Sequence, residues 1–510
     1  MAEIDHGASQ LRSHRKQKHL KVVMVALVVV IFFSSSLSLL SNPLSENPHA
    51  SVPARITYSS HVPISINGNG EFNNTNFPLN GVISGNGTAS NPYTVAGWDI
   101  SAASTHGIRI QNTNAYFIIR DCYIHGGPSN YNIGIYQTNC TNGTVIGNNC
   151  SNNDVGIYLH SSNYNNVINN TCSLNNLDGI DLVSSSGNNY LSNNTCTSND
   201  GWGILIDFSV DNALSNNNCS SNHLNGILLW SSSNNNLSNN TCNSSNDHGI
   251  ALYLSDNNTL SNNTCSKGRN GMVILSSNYN ALINNTCANN TDNGIWMSTS
   301  SHNTLINNGC KFNALYGITL KSTSGSNVLL NNTCSHNWIG ILINSSSNFN
   351  IISNSTYSYN TYGVFIDTSS RNTISNNTVS NNTGYGLYIS NVASGNNRIW
   401  NNSFIMNRGA GSIYDPDHIQ AIDFGTNNMW NSTNGYGNYW SDWTIPDIVY
   451  RFGIVDLPYN ITGTAGAKDF YPLTSPKVSA PPISEFSELI VPIVGLILFA
   501  LIFSRTSKKS

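Results

Sequence analysis

Two carboxylates stand out in a chain with little charge. Asp181 follows Gly179-Ile180, and Asp207 closes Gly203-Ile204-Leu205-Ile206-Asp207. The two segments are equivalent, and the aspartates are offset by two positions, so adjacent strands would bring the carboxyls into one neighbourhood. An inverting glycoside hydrolase needs two carboxyls roughly 6.5–9.5 Å apart, and Asp181 and Asp207 are the pair placed for that work. A polysaccharide lyase would also need a cation to neutralise a uronate, and Arg109 and Lys321 lie several segments away. Tyr158, His160, Trp230, Tyr253 and Trp296 occupy corresponding places in other segments. Aromatic faces in a shallow groove suit sugar rings, so these five form a candidate saccharide track.

The thiols form a second constellation. Cys150, Cys172, Cys196, Cys219, Cys242, Cys265, Cys287, Cys310 and Cys334 recur every 22–24 residues, with Cys122 one step before. That spacing is not the close Cys/His clustering of a zinc site. Tyr357, Val379 and Phe404 continue the same position, which marks it as a core site where Cys serves as a small hydrophobe. A free file and inter-coil disulfides both remain open, because stacked Cα atoms would be close while their Cβ vectors run parallel. Cys140 lies off the file and is the thiol expected to be reactive. No cofactor motif is present and no metal site is expected; six Met without a Met or His cluster give copper little support.

The element that must position these residues is a repeat. Glycines at 107, 134, 156, 179, 203, 226, 249, 271, 294, 317, 340, 363 and 386 are separated by 27 and then by 22–24 residues. A constant period of this length marks a solenoid. The unit is dense in Asn, Ser, Thr and Gly, and its short apolar patches alternate, as in Gly249-Ile250-Ala251-Leu252. Period-2 alternation with turn residues between reads as short half-buried strands. Three strands per unit give one coil of a parallel β-helix, about 13 coils in all, capped at both ends. About a sixth of the residues are Asn, in keeping with αL turns and stacked amides.

Only 9% of the residues are charged and the net charge is −4, so the chain lacks the basic surface that nucleic acid binding requires. Residues 1–40 hold a basic start and an apolar run, as in a signal peptide or N-terminal anchor. Residues 41–60 read as a linker, 61–106 as an N-terminal cap, 107–414 as the repeats and 415–473 as a C-terminal cap. A second linker, 474–488, leads to an apolar segment, 489–503, and a basic tail, 504–510, consistent with a membrane segment whose tail stays in the cytoplasm. Sequons recur at Asn169, Asn193, Asn239, Asn262, Asn284, Asn331 and Asn376, one point of successive coils, as expected of an exported glycoprotein.

The opening His61–Asn114 segment, the repeats, and the closing Gly437-Asn438-Tyr439-Trp440-Ser441-Asp442 and Asp469-Phe470-Tyr471-Pro472-Leu473 segments resemble the NosD-like right-handed β-helix family of secreted proteins. The apolar tail resembles archaeal sorting or anchoring segments. The resemblance implies a right-handed coil and either copper-site maturation or a carbohydrate-related role. Relatives often carry an Asp-rich loop resembling a Ca²⁺ site; here Asp447 and Asp456 are nine residues apart with no carboxylate between, and such a loop is not expected. The sequence therefore leads to an extracytoplasmic, membrane-anchored surface protein that binds a polysaccharide or cell-surface glycan, or serves a structural or adhesive role. The alternatives are a polysaccharide-cleaving enzyme and a copper maturation factor.

Overall fold

A computed structural model describes residues 58–72, 80–127, 131–443 and 453–476. The proposed signal, most of both linkers, the apolar segment, the basic tail and Asp447 lie outside the described residues. Among those described, no helix is long and apolar enough to cross a membrane.

The repeat builds a β-solenoid with three strand positions per coil. The glycine-bearing strands, such as Val155–His160, pair in parallel with Ile133–Cys140 before and Ile180–Val183 after. They make a sheet of fifteen strands from Ile64–Asn67 to Ala421–Asp423. The second face is another fifteen-stranded sheet, parallel except for its first pair, Val82–Ser84 against Tyr93–Ala96. The third face carries the cysteine position. It narrows to single-residue bridges between Tyr123↔Asn149 and Thr264↔Thr286, then widens into seven strands from Thr286–Ala288 onward.

Alternation explains the core. Ile157 and Leu159 from the first face, Val167 from the second and Cys172 from the third are all fully buried, each packed against its equivalents in neighbouring coils. The anchor glycine is required by space. A Cβ on Gly179 would lie 2.5 Å from the Gly203 carbonyl and 2.8 Å from Cys196 Cβ. Small residues at the cysteine position thus face a glycine file with no room for side chains.

All eleven cysteines are free and buried, so inter-coil disulfides do not form here. Cys140 corrects the expectation of a reactive thiol. It is fully buried, and its Sγ donates to the carbonyls of Ile110 and Thr138 at 3.2 and 3.3 Å. Burial pushes its pKa up to about 11, which removes the thiolate that reactivity requires.

The asparagines do more than turn the chain. One buried file runs from Asn148 through Asn170, Asn194 and Asn217, each carboxamide donating to the Oδ1 of the next coil at 3.0 or 3.1 Å. Two other files begin at Asn165 and Asn175. Every link donates in the same direction, toward the C-terminal end, so each file must finish on an acceptor. Three buried carboxylates supply it. Asn438 donates to Asp469, Asn428 to Asp423, and Gln420, which continues the file from Asn407, to Asp442 at 2.5 Å. The last file is interrupted at Ser245, whose hydroxyl has no partner, and the first at Ser355, where only backbone N–H groups donate across the step.

Candidate functional site

The outer face of the glycine-bearing sheet starts with an aromatic stack. Arg109, Tyr136, Tyr158, Asp181 and Leu205 are register partners in successive strands. The rings of Tyr136 and Tyr158 lie 5.5 Å apart and nearly parallel, at 6°. His106 stacks on Tyr136 at 4.8 Å, and the Arg109 guanidinium lies over the same ring at 5.8 Å. Tyr131 meets Tyr158 edge-on at 6.4 Å. Tyr131 is half exposed, so the stack opens to solvent at that side.

The carboxyls follow the stack. Asp181 is only 2% exposed, and its Oδ1 has no hydrogen-bond partner. Burial raises its pKa well above the ordinary carboxylate value, and the charges of Asp178 and Asp207 raise it further. Asp178 is itself pushed up to about 6 by burial, although the Trp202 N–H donates to its Oδ1 at 2.6 Å. Asp207 is less enclosed and is raised by partial burial. Asp207 pairs with Val183, two residues beyond Asp181 on the neighbouring strand, which places the two Cα atoms roughly 8 Å apart. No cation pairs with any of the three among the described ion pairs. The arrangement therefore sets a buried Asp181, whose protonated form is favoured by its surroundings, beside a more accessible carboxylate, the separation of roles that acid–base chemistry uses.

The remaining track residues divide. Next to Asp207 in register comes Trp230, 43% exposed, with the Tyr253 ring against it edge-on at 5.6 Å. His160 lies on the same file two coils before Asp207 and bonds to Thr138 Oγ1 at 3.2 Å. Trp296 stands farther along the same face, in register with Val273. It packs with Trp202, Leu205, Tyr253 and Leu275 over a buried trio of Leu228, Ala251 and Val273. The middle of the outer face is thus partly covered by the chain itself, and the track is not one continuous open strip.

The covering residues were not legible as site residues. His106, Asp178, Trp202 and His248 each precede an anchor glycine, and simple alternation aims that position inward. Strand pairing skips the glycine: Val155 pairs with Ile133 and Ile157 with Ile135. The residue before the glycine consequently lies over the outer face, as the His106–Tyr136 and Tyr362–Phe365 ring contacts record. A polar or aromatic residue at that position in several coils was the available signal.

The sequence matches the family model described as periplasmic copper-binding protein (NosD) over residues 74–245 and 307–444, more than half of the chain. This chain belongs to the NosD family. A second model, the right handed beta helix region, matches 202–348, which fixes the hand of the coil. No curated protein matches the sequence. Among solved structures, the A-module of Azotobacter vinelandii mannuronan C-5 epimerase AlgE6 is similar at 14% identity and a TM-score of 0.40, covering 68% of this chain and 92% of that one. The catalytic unit of an α-1,3-glucanase from Streptomyces thermodiastaticus is similar at 15% identity and 0.40, covering 52% and 61%. The Dettilon tailspike protein gives 12% and 0.40, covering 57% and 66%. At these values the likenesses carry no functional argument.

Copper, named in the family description, finds no fitting donor set. Among the described residues no group of three or more His, Cys, Asp or Glu side chains is arranged to hold a metal. The richest sulfur file is sealed in the core, and burial raises the pKa of thiols such as Cys242 and Cys265 well above normal. Soft-metal binding needs accessible thiolates.

Proposed function

We propose that this NosD-family chain is an extracytoplasmic surface protein, anchored to the membrane by a terminal segment, that binds a polysaccharide or cell-surface glycan on its outer glycine-strand face. The observation that carries the reading is the stacked Tyr136–Tyr158 pair leading into Asp181, Asp207 and the exposed Trp230. Tyr158 and Trp230 are three coil steps apart, about 14 Å at the ordinary strand spacing. A short oligosaccharide lying along the coil axis would reach both rings, with the more accessible Asp207 under its middle accepting hydroxyl hydrogen bonds. His160 and Tyr253 flank the same stretch. The periplasmic character given to the family supports an extracytoplasmic location.

The test is direct. The purified protein is screened on a glycan array, and hits are measured by calorimetry for Tyr158→Ala and Trp230→Ala. Loss of affinity of tenfold or more in both variants supports the face; no binding to any glycan overturns the reading.

Enclosure of Asp181 favours a second reading, in which it protonates the leaving oxygen of a glycosidic bond while Asp207 activates water as base. New reducing ends that disappear in Asp181→Asn and Asp207→Asn would support it. Turnover that survives both changes would remove these residues from any catalytic role.

A further inference from the structure

Each coil turns its corners through left-handed residues, two of them at the first corner, and the residue used differs from site to site. At one corner it varies freely: Tyr164, Asp211, Tyr279, His302, Phe349 and Arg371 all adopt positive φ there. A second corner is as varied, with Leu174, Lys267, Phe312, His336 and Tyr359. At the third, between the second and third faces, the residue is Asn in eleven successive coils, from Asn169 (φ 55) to Asn401 (φ 53). The backbone demand is the same at all three, so conformation does not account for the constancy.

Internal bonding accounts for it only at the end of the array, where Asn401 donates to Asn376 Oδ1 and Asn376 donates to the Ser353 and Ser375 hydroxyls. Asn169, Asn193, Asn239, Asn262 and Asn284 are exposed, and none of their carboxamides enters a file. The residue that follows each does, as Asn170 donating to Asn194 illustrates. Two residues on stands a half-exposed threonine such as Thr171, held by single bridges to the coils on either side. Nine of the eleven corners therefore read Asn-X-Thr or Asn-X-Ser. The exceptions are Asn216, followed by Asn218, and Asn307, followed by Gly309.

We propose that this corner is a built file of N-glycosylation acceptors. The reaction joins the Asn carboxamide nitrogen to the anomeric carbon of a saccharide carried on a lipid diphosphate. The amide loses one proton, and the lipid diphosphate leaves with the electron pair of the broken C–O bond. The required sequence triplet, an exposed acceptor and an accessible hydroxyl recur together in most of these coils, Asn401 and Ser403 being buried at the last. The corner lies opposite the glycine-bearing sheet, so attached glycans project away from the Tyr158–Trp230 face. Coils rise by about 4.8 Å, less than the width of a hexose with its hydroxyls. Neighbouring acceptors accordingly exclude one another, and one molecule carries saccharides on alternate coils at most. None of this depends on the carbohydrate-binding reading.

The experiment is peptide mass mapping of the full-length chain isolated from its own cells, beside the same chain made in a cytosol without the transfer machinery. Saccharide mass is expected on peptides holding Asn169, Asn193, Asn239, Asn262 and Asn284, and not at Asn216 or Asn307. A gain-of-site variant guards against loss through misfolding. A Cβ at Gly309 meets nothing within 4 Å, so Gly309→Thr completes the triplet at Asn307 without steric conflict. It is expected to add saccharide mass at Asn307, whereas Gly309→Ala adds none. Unmodified asparagines along the whole file, or no gain in Gly309→Thr, overturn the proposal. Saccharides on adjacent coils of one molecule overturn the alternation.

Discussion

Asn438 directs both its backbone N–H and its carboxamide to one oxygen of Asp469, at 2.6 and 3.3 Å, and so ends the run of carboxamide links from Asn377 through Asn402. The same carboxyl accepts from Trp440 Nε1 at 3.0 Å. The Gly437–Asp442 and Asp469–Leu473 segments, which mark the family resemblance, hold two of the three carboxylates on which polarised amide files must finish. Their aromatic residues cover that end: Trp440 stacks on Phe404 at 4.4 Å and on Tyr459 at 4.0 Å.

Stability should fall as pH rises from about 4 to neutrality. Burial pushes Asp469 up to about 7, against hydrogen bonds from Trp440, Asn438 and Tyr471 that pull it down. With its folded pKa above the unfolded value near 3.9, the folded chain binds the extra proton between those limits. The contribution is therefore complete below about pH 4 and is lost by pH 7, on the order of 4 kcal/mol at most. Asp178 and Asp442, both raised by burial, act with the same sign. Urea midpoints at pH 4.5 and pH 8 check this, and Asp469→Asn should reduce the difference.

The period, the strand alternation and the inward cysteine position were legible because they depend on local sequence and on one repeated distance. The polarity of the amide files was not. It depends on which atom of each carboxamide faces the next coil, and only the carboxylates at the far end reveal it. The outer face was half legible for a related reason. Alternation placed Tyr158, Asp181 and Trp230 outward correctly, while the break in pairing at each glycine concealed Asp178, whose charge acts on Asp181, and Trp202, which packs on the outer face.

A one-atom change tests file polarity. Asn240 donates to Asn263 Oδ1 and accepts from Asn217 at 3.0 Å in each case. Asn240→Asp keeps the shape but sets a carboxylate oxygen against the Asn263 oxygen. Asn240→Ala removes both links. Each should destabilise by about 2–4 kcal/mol at neutral pH, and the Asp variant should recover part of that loss in acid, where its carboxyl can donate. Thermal melts of the three proteins at pH 4.5 and pH 8 distinguish charge from cavity.

The thiols should be inert until the fold opens. All eleven are buried, Cys140 included, and thiol reactivity requires an accessible thiolate. Reaction with a colorimetric disulfide reagent should find fewer than one thiol per chain in the native protein and all eleven in denaturant. Fast native labelling of Cys140 would contradict the burial and the bonds to Ile110 and Thr138.

Asp181 offers the sharpest separation of stability from function. Its neighbours along the same outward file, Leu205 and Leu228, are apolar and pack with Trp202. Asp181 instead leaves a buried oxygen without a partner, and its raised pKa makes its ionised form increasingly unfavourable as pH rises. Asp181→Leu would continue the apolar file and remove the orphaned group, and should stabilise the protein by about 1–2 kcal/mol at pH 8. The gain should shrink toward pH 4, where the native carboxyl is neutral. A carboxyl retained at such a cost marks a site selected for something other than folding. The same variant should therefore lose glycan affinity while its melting temperature rises; a variant that loses stability would show that Asp181 holds the fold instead.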